Sequence, residues 1–192
     1  MPLSPAEERE LIHTRTIYLR AYRRVDGLYD VEGHIMDVKP FTHHLLDSHR
    51  AAGEPVHDMW LRLTIDGTMT IKEVEAKLDV GAHGICHRVA PNFRVLEGLA
   101  IGPGWNRAVR ERLGHGEGCT HLVEMLSQMA TAAMQAMWSE REPEGEVTRP
   151  AEERTLSPGL LNSCYAYRGD SEFVRIFFPA HYDGPKASPK PQ

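Results

Sequence analysis

The segment Gly114-His115-Gly116-Glu117-Gly118-Cys119-Thr120-His121 carries the residue types best suited to chemistry. Alternate glycines let the backbone turn sharply and approach a ligand. Cys119 falls where a helix begins, so unpaired N–H groups and the helix dipole favour its thiolate. The same residues also read as a Thr120 cap behind a flexible loop, with an inert cysteine beside it. No Gly-Lys-Ser/Thr ending follows, which argues against a phosphate-cradling loop. Two more pairs stand elsewhere: His57-Asp58, just after Pro55, and Cys86-His87. Together His57, Asp58, Cys86, Cys119 and His121 offer the soft and borderline ligands that zinc or iron prefers, each at a chain reversal or helix start. Their spacing is not that of a zinc finger, so the fold must bring them together. His43-His44 offers a general base. Tyr18, Arg20, Tyr22 and Arg24 form a stripe able to hold an anionic or aromatic substrate by charge and stacking. Asp37 and Lys39 share one face of a strand and read as a base beside a cation or as an exposed ion pair.

Residues 14–24 alternate, with Ile17, Leu19 and Ala21 on one side and the Tyr/Arg stripe on the other. Asp26-Gly27 turns the chain into a partner strand over 28–39, where a bulge is expected at Gly33 because the apolar parity shifts there. Residues 41–54 are a polar connection. A second hairpin follows: Met59, Leu61, Leu63 and Ile65 alternate with polar residues before Asp66-Gly67 leads into 68–78. The period then becomes helical from Cys86, and Pro103-Gly104 opens a helix through Trp105, Val109 and Leu113 that Gly114 stops. Residues 120–140 read as a long apolar helix lying on the sheet. A mobile excursion is expected over 139–159, and two short strands over 165–168 and 173–178. The expected fold is α+β: an antiparallel sheet of four to six strands, with two short helices and one long apolar helix on one face. A single domain over 1–179 is expected, with a Pro/Lys-rich tail over 180–192.

The chain has 192 residues, 41% hydrophobic and 26% charged, which suits one compact core. Its 22 Lys and Arg against 27 Asp and Glu leave a net charge of -5, which argues against nucleic acid as a partner. No apolar run approaches the roughly 18 residues of a membrane span, and the first residues lack a secretory pattern, so a cytoplasmic protein without a membrane partner is expected. Three widely spaced cysteines do not make a disulfide framework. A homodimer is the candidate assembly.

Three stretches carry a family resemblance: Arg23-Arg24-Val25-Asp26-Gly27-Leu28-Tyr29-Asp30-Val31-Glu32-Gly33, Val56-His57-Asp58-Met59 and Gly118-Cys119-Thr120-His121-Leu122. They resemble the bacterial family known as domain of unknown function 2889, over about residues 14–140. That resemblance implies hosts with aromatic or steroid catabolic pathways, and hence an aromatic substrate. More distantly, the order of ligand types is similar to iron-sulfur scaffold proteins of the NifU type. This second resemblance implies that His57-Asp58, Cys86 and Cys119 form one metal site, with His57 where the scaffolds have a thiolate. One imidazole, one carboxylate and two thiolates suit mononuclear zinc or iron rather than a cluster. The function expected is a metal-dependent enzyme acting on a small organic molecule, a carbon-carbon lyase of retro-aldol type or a hydrolase. Asp58 is then a ligand or holds one, and His121, His43 or His44 moves the proton. The alternatives are a zinc or iron-sulfur scaffold or sulfur-acceptor protein using Cys119, and a non-catalytic structural or ligand-binding domain.

Overall fold

The computed structural model describes residues 4, 6–141, 148–156 and 159–185, with the side chains of 139–141 excepted. Two compact units divide the chain, Met1–Glu140 and Arg141–Gln192. The expected excursion over 139–159 falls in part, and the tail over 180–192 largely, outside the described residues.

The first unit is built on strands β1 (Thr14–Arg23), β2 (Tyr29–Val38), β5 (Pro55–Ile65) and β6 (Ile71–Val80), antiparallel in the order β1-β2-β5-β6. Between β2 and β5, two-residue strands β3 (His43–His44) and β4 (His49–Arg50) form a separate ladder within the stretch read as a plain connection. Alternation decides the faces. Ile17, Val31, Ile35, Met59, Leu61, Leu63 and Ile65 point inward, where a 3₁₀ helix (Cys86–Leu96) and helices α1 (Trp105–Leu113) and α2 (Thr120–Arg141) contribute Phe93, Trp105 and Leu126 to one core. Trp105 also donates its indole N–H to the carbonyl of Leu126, 3.3 Å away, fixing α1 against α2.

Gly33 does not make a bulge. Its pairing with Leu19 and Leu61 is regular, because Val31, Gly33, Ile35 and Asp37 keep one unbroken inward parity, and the register shifts instead between Asp37 and Val38. The missing side chain serves packing: a Cβ there would lie 2.8 Å from the Met125 sulfur, so glycine is what lets α2 settle onto the sheet.

The expected helix inventory is overturned. Four helices of six residues or more occur among the described residues, and none is a long apolar helix. Over its 22 residues α2 is two-faced: Leu122, Met125, Leu126, Met129, Ala133 and Met137 are buried, whereas Glu124, Gln128, Thr131 and Gln135 are exposed. Its apolar stripe covers the sheet and its polar stripe meets water. No described helix is long and apolar enough to cross a membrane.

In the second unit, the expected strand over 173–178 is instead helix α3 (Glu172–Phe177), and 165–168 is turn. The Ser171 hydroxyl accepts the N–H of Val174 at 3.1 Å, an N-cap that starts a helix where aromatic content suggested a strand. Phe173 packs on Phe177, Phe178 and Tyr167, and Phe178 also meets Tyr167.

Candidate metal centre

Antiparallel register puts Arg15 of β1 opposite Asp37 of β2, and Asp37 opposite His57 of β5. All three lie on the inward parity, at the end of the sheet where α2 begins. Three adjacent strands thus present a cation, a carboxylate and an imidazole in one row on the inward face. Asp37 is only 1% exposed and is fully engaged. Arg15 donates Nε to Oδ1 and a terminal N–H to Oδ2, both at 2.7 Å. His57 Nδ1 lies 2.8 Å from Oδ2, and His13 Nε2 lies 3.3 Å from Oδ1. Burial pushes the Asp37 carboxyl upward, but the Arg15 and His57 contacts outweigh it and hold it at about 2, below the ordinary 3.8. The group is therefore an anion that only accepts, and His57 must place its proton on Nδ1. Burial, with repulsion from Arg15 and His13, lowers the pKa of His57 despite the carboxylate, so its ring is neutral near pH 7 and Nε2 carries a lone pair.

The second imidazole comes from α2. The Cys119 carbonyl accepts the N–H of Val123 at 2.9 Å, which makes Cys119 the N-cap and His121 the second residue of the helix. The His121 ring centre is 4.0 Å from that of His57. Its pKa is lowered by burial and by the neighbouring His57 and Arg15. Ligand atoms of Asp37, His57 and His121 all lie within 4.8 Å of one another, a His/Asp cluster with the chemistry to bind a metal ion and the one such group among the described residues. Cys119 Sγ stands 3.7 Å from His121 Nδ1 and 3.8 Å from the Met59 sulfur. A cavity of about 530 Å³ opens on this corner, with His57, His121, Cys119 and Cys86 all on its wall. Glycine matters at one point of the wall: a Cβ on Gly118 would sit 2.8 Å from the Leu113 carbonyl oxygen.

The sequence-derived candidates divide sharply. His57, Cys86, Cys119 and His121 meet at the cavity. Asp58 does not join them, because neighbours on a strand face opposite ways; it meets His34 Nε2 at 2.7 Å on the outer face. Tyr18 and Arg20 are also outside, along a cavity of about 200 Å³ with His34 and Trp60, and Tyr22 shares that face. Arg24 is bound to Asp26 at 2.7 Å near the first turn. His43 and His44 lie in the β3/β4 ladder, opposite Arg50 and His49. Arg15 is the member that sequence reasoning missed, along with the place of Asp37 beside His57. Asp37 pairs with Arg15, not with Lys39, whose ammonium instead lies over the Phe41 ring.

No curated protein and no solved structure matches the chain. The likeness to NifU-type scaffolds therefore has no support. The family model described as a protein of unknown function (DUF2889) matches residues 13–135. That stretch spans more than half of the chain and contains Arg15, Asp37, His57, Cys86, Cys119 and His121, and the chain belongs to the DUF2889 family.

Proposed function

We propose that this protein is a metal-dependent enzyme acting on a small organic molecule, with a single zinc or iron ion held by His57 and His121. The observation that carries this reading is the meeting of two neutral-leaning imidazoles and a buried carboxylate at the wall of an open cavity. Both oxygens of Asp37 are already engaged by Arg15, His57 and His13, so its role is to fix the His57 ring and present Nε2, the arrangement typical of a ligating histidine backed by a carboxylate. Cys119, beside His121 at a helix start, is a further donor, and Cys86 lines the same cavity. An ion held by two or three such groups keeps positions for a substrate oxygen and supplies Lewis-acid activation.

The reactions that suit this arrangement are carbon-carbon cleavage of retro-aldol type and hydrolysis, since both develop negative charge on an oxygen. Proton transfer falls to Cys119 where it is not itself a ligand. Elemental analysis of untagged protein tests the proposal. About one zinc or iron per chain is expected, absent from a His57→Ala/His121→Ala double variant that keeps its fold by circular dichroism. Protein that is metal-free as purified and takes up neither ion on titration sinks it.

A further inference from the structure

The cavity beside His57 and His121 differs in its charge from two other large cavities of the first unit. One, of about 510 Å³, has Asp47, Glu54 and Asp79 on its wall, and another, of about 490 Å³, has Glu73 and Glu75. The 530 Å³ cavity has no carboxylate on its wall at all, although the chain is acidic overall. It has Arg88, on the 3₁₀ helix Cys86–Leu96, and Arg88 has no acidic partner among the described residues. An unpaired guanidinium at a site without counter-charge is a ready bidentate anchor for an anion. The same wall carries apolar surface from Met59, Ile85 and Val89. The mouth is also held in shape: Asn92, one turn beyond Arg88, donates its side-chain N–H to the carbonyl of Glu117 at 2.8 Å, tying the Gly-rich loop to the helix that carries the arginine.

We propose that this cavity takes a small carboxylate with an apolar or aromatic body, its carboxylate on Arg88 and its body against Met59, Ile85 and Val89, so that the rest of the molecule reaches His57 and His121. A single guanidinium matches a single negative charge, which favours a monocarboxylate over a phosphate ester. The inference deepens the metal-site reading and rests on it for the chemistry, though not for the binding.

Calorimetric titration tests it with paired probes, acetate, benzoate and 3-phenylpropanoate against their neutral amides, on the full chain both zinc-loaded and chelator-treated. At least one aromatic carboxylate should bind about tenfold more tightly than its amide, in keeping with one charge-assisted contact. Arg88→Gln should remove that preference in both forms while leaving zinc stoichiometry unchanged. Arg94→Gln, on the same helix but at the wall of the neighbouring cavity, should leave the preference intact. Equal affinity for acid and amide, no binding by any acid of the series, or a preference that survives Arg88→Gln overturns the proposal. A preference that depends on Arg88 in protein unable to take up either zinc or iron upholds it and removes the metal reading. Zinc binding without any carboxylate preference does the reverse.

Discussion

Two histidine–aspartate pairs of nearly equal geometry sit on opposite faces of one sheet. On the inner face His57 meets Asp37 at 2.8 Å, and on the outer face His34 meets Asp58 at 2.7 Å. His57 and Asp58 are sequence neighbours, so the strand pleat alone sends one to each pair. Their surroundings then diverge. Asp37 is 1% exposed, braced by Arg15 and reached by a second imidazole at a cavity. Asp58 is 28% exposed, and its histidine lies flat on Trp60, with ring centres 3.7 Å apart, in a row that continues to Tyr18. A ring pinned between a carboxylate and an indole has little freedom to bind an ion, whereas a ring pinned only by its carboxylate keeps Nε2 for one. The difference teaches that a His–Asp contact is not a site; a second ligand and an open volume make it one.

The largest expected effect breaks the inner pair. Asp37→Ala leaves Arg15 and His57 facing each other at a buried position without their shared anion, and should destabilise the chain by about 3 kcal/mol in urea denaturation. Asp58→Ala, on the half-exposed outer face, should be worth no more than about 1 kcal/mol. Equal losses would remove the distinction drawn between the faces. Next comes zinc affinity. His57→Ala and His121→Ala should each weaken zinc binding by at least about 100-fold in competition with a chromophoric chelator, while His34→Ala leaves it unchanged. Cobalt substitution sharpens the ligand set: if Cys119 binds the ion, a thiolate-to-cobalt band appears near the ultraviolet edge and vanishes in Cys119→Ser. A spectrum without that band leaves the sulfur as a neighbour only.

Much of the sheet was legible because the period-2 pattern and two Asp-Gly turns act over a few residues. Register was legible less well, since the missing side chain of Gly33 answers to Met125 on α2, nearly a hundred positions away in sequence. For the same reason α3 was misread: Phe173, Val174, Ile176, Phe177 and Phe178 suit a strand by propensity, and the Ser171 cap decides otherwise. At the site, His57, Cys86, Cys119 and His121 could be named from residue type and position at element ends. Asp58 was grouped with His57 by adjacency, which pleating forbids once the strand includes both. Arg15 and Asp37 had a usable signal that went unread. Each interrupts the inward parity of its strand, Arg15 before Ile17 and Leu19, and Asp37 after Val31 and Ile35, as His57 does before Met59 and Leu61. Charged residues on the buried parity of three neighbouring strands, all at one end, have to meet one another there.

Acid unfolding probes the inner pair without removing it. Because Asp37 is held at about 2 when folded and has an ordinary value of 3.8, the unfolded chain takes up its proton first as pH falls. Its contribution to stability is therefore complete above about pH 4 and disappears progressively toward pH 2. In chelator-treated protein the urea midpoint should drop across that window, and Asp37→Asn should show a lower midpoint at neutral pH with a flatter acid limb. An identical limb in the variant would mean that other carboxylates govern acid unfolding.

The smallest effect is the most direct comparison. Double-mutant cycles measure how strongly each histidine is coupled to its carboxylate, independently of what each truncation does alone. For His34 and Asp58 the half-exposed contact and the competing stack on Trp60 limit the coupling to about 0.5 kcal/mol. For His57 and Asp37 the contact is shielded from water by Arg15 and the core, and the coupling should exceed the outer value by about twofold or more. The stack adds its own test: Trp60→Ala frees the His34 ring, and the His34–Asp58 coupling should then fall further, because the indole that holds the ring in line with its carboxylate is gone. If instead the two cycles agree, the cavity and the second imidazole alone separate the faces, and burial of Asp37 has no part in preparing His57 for an ion.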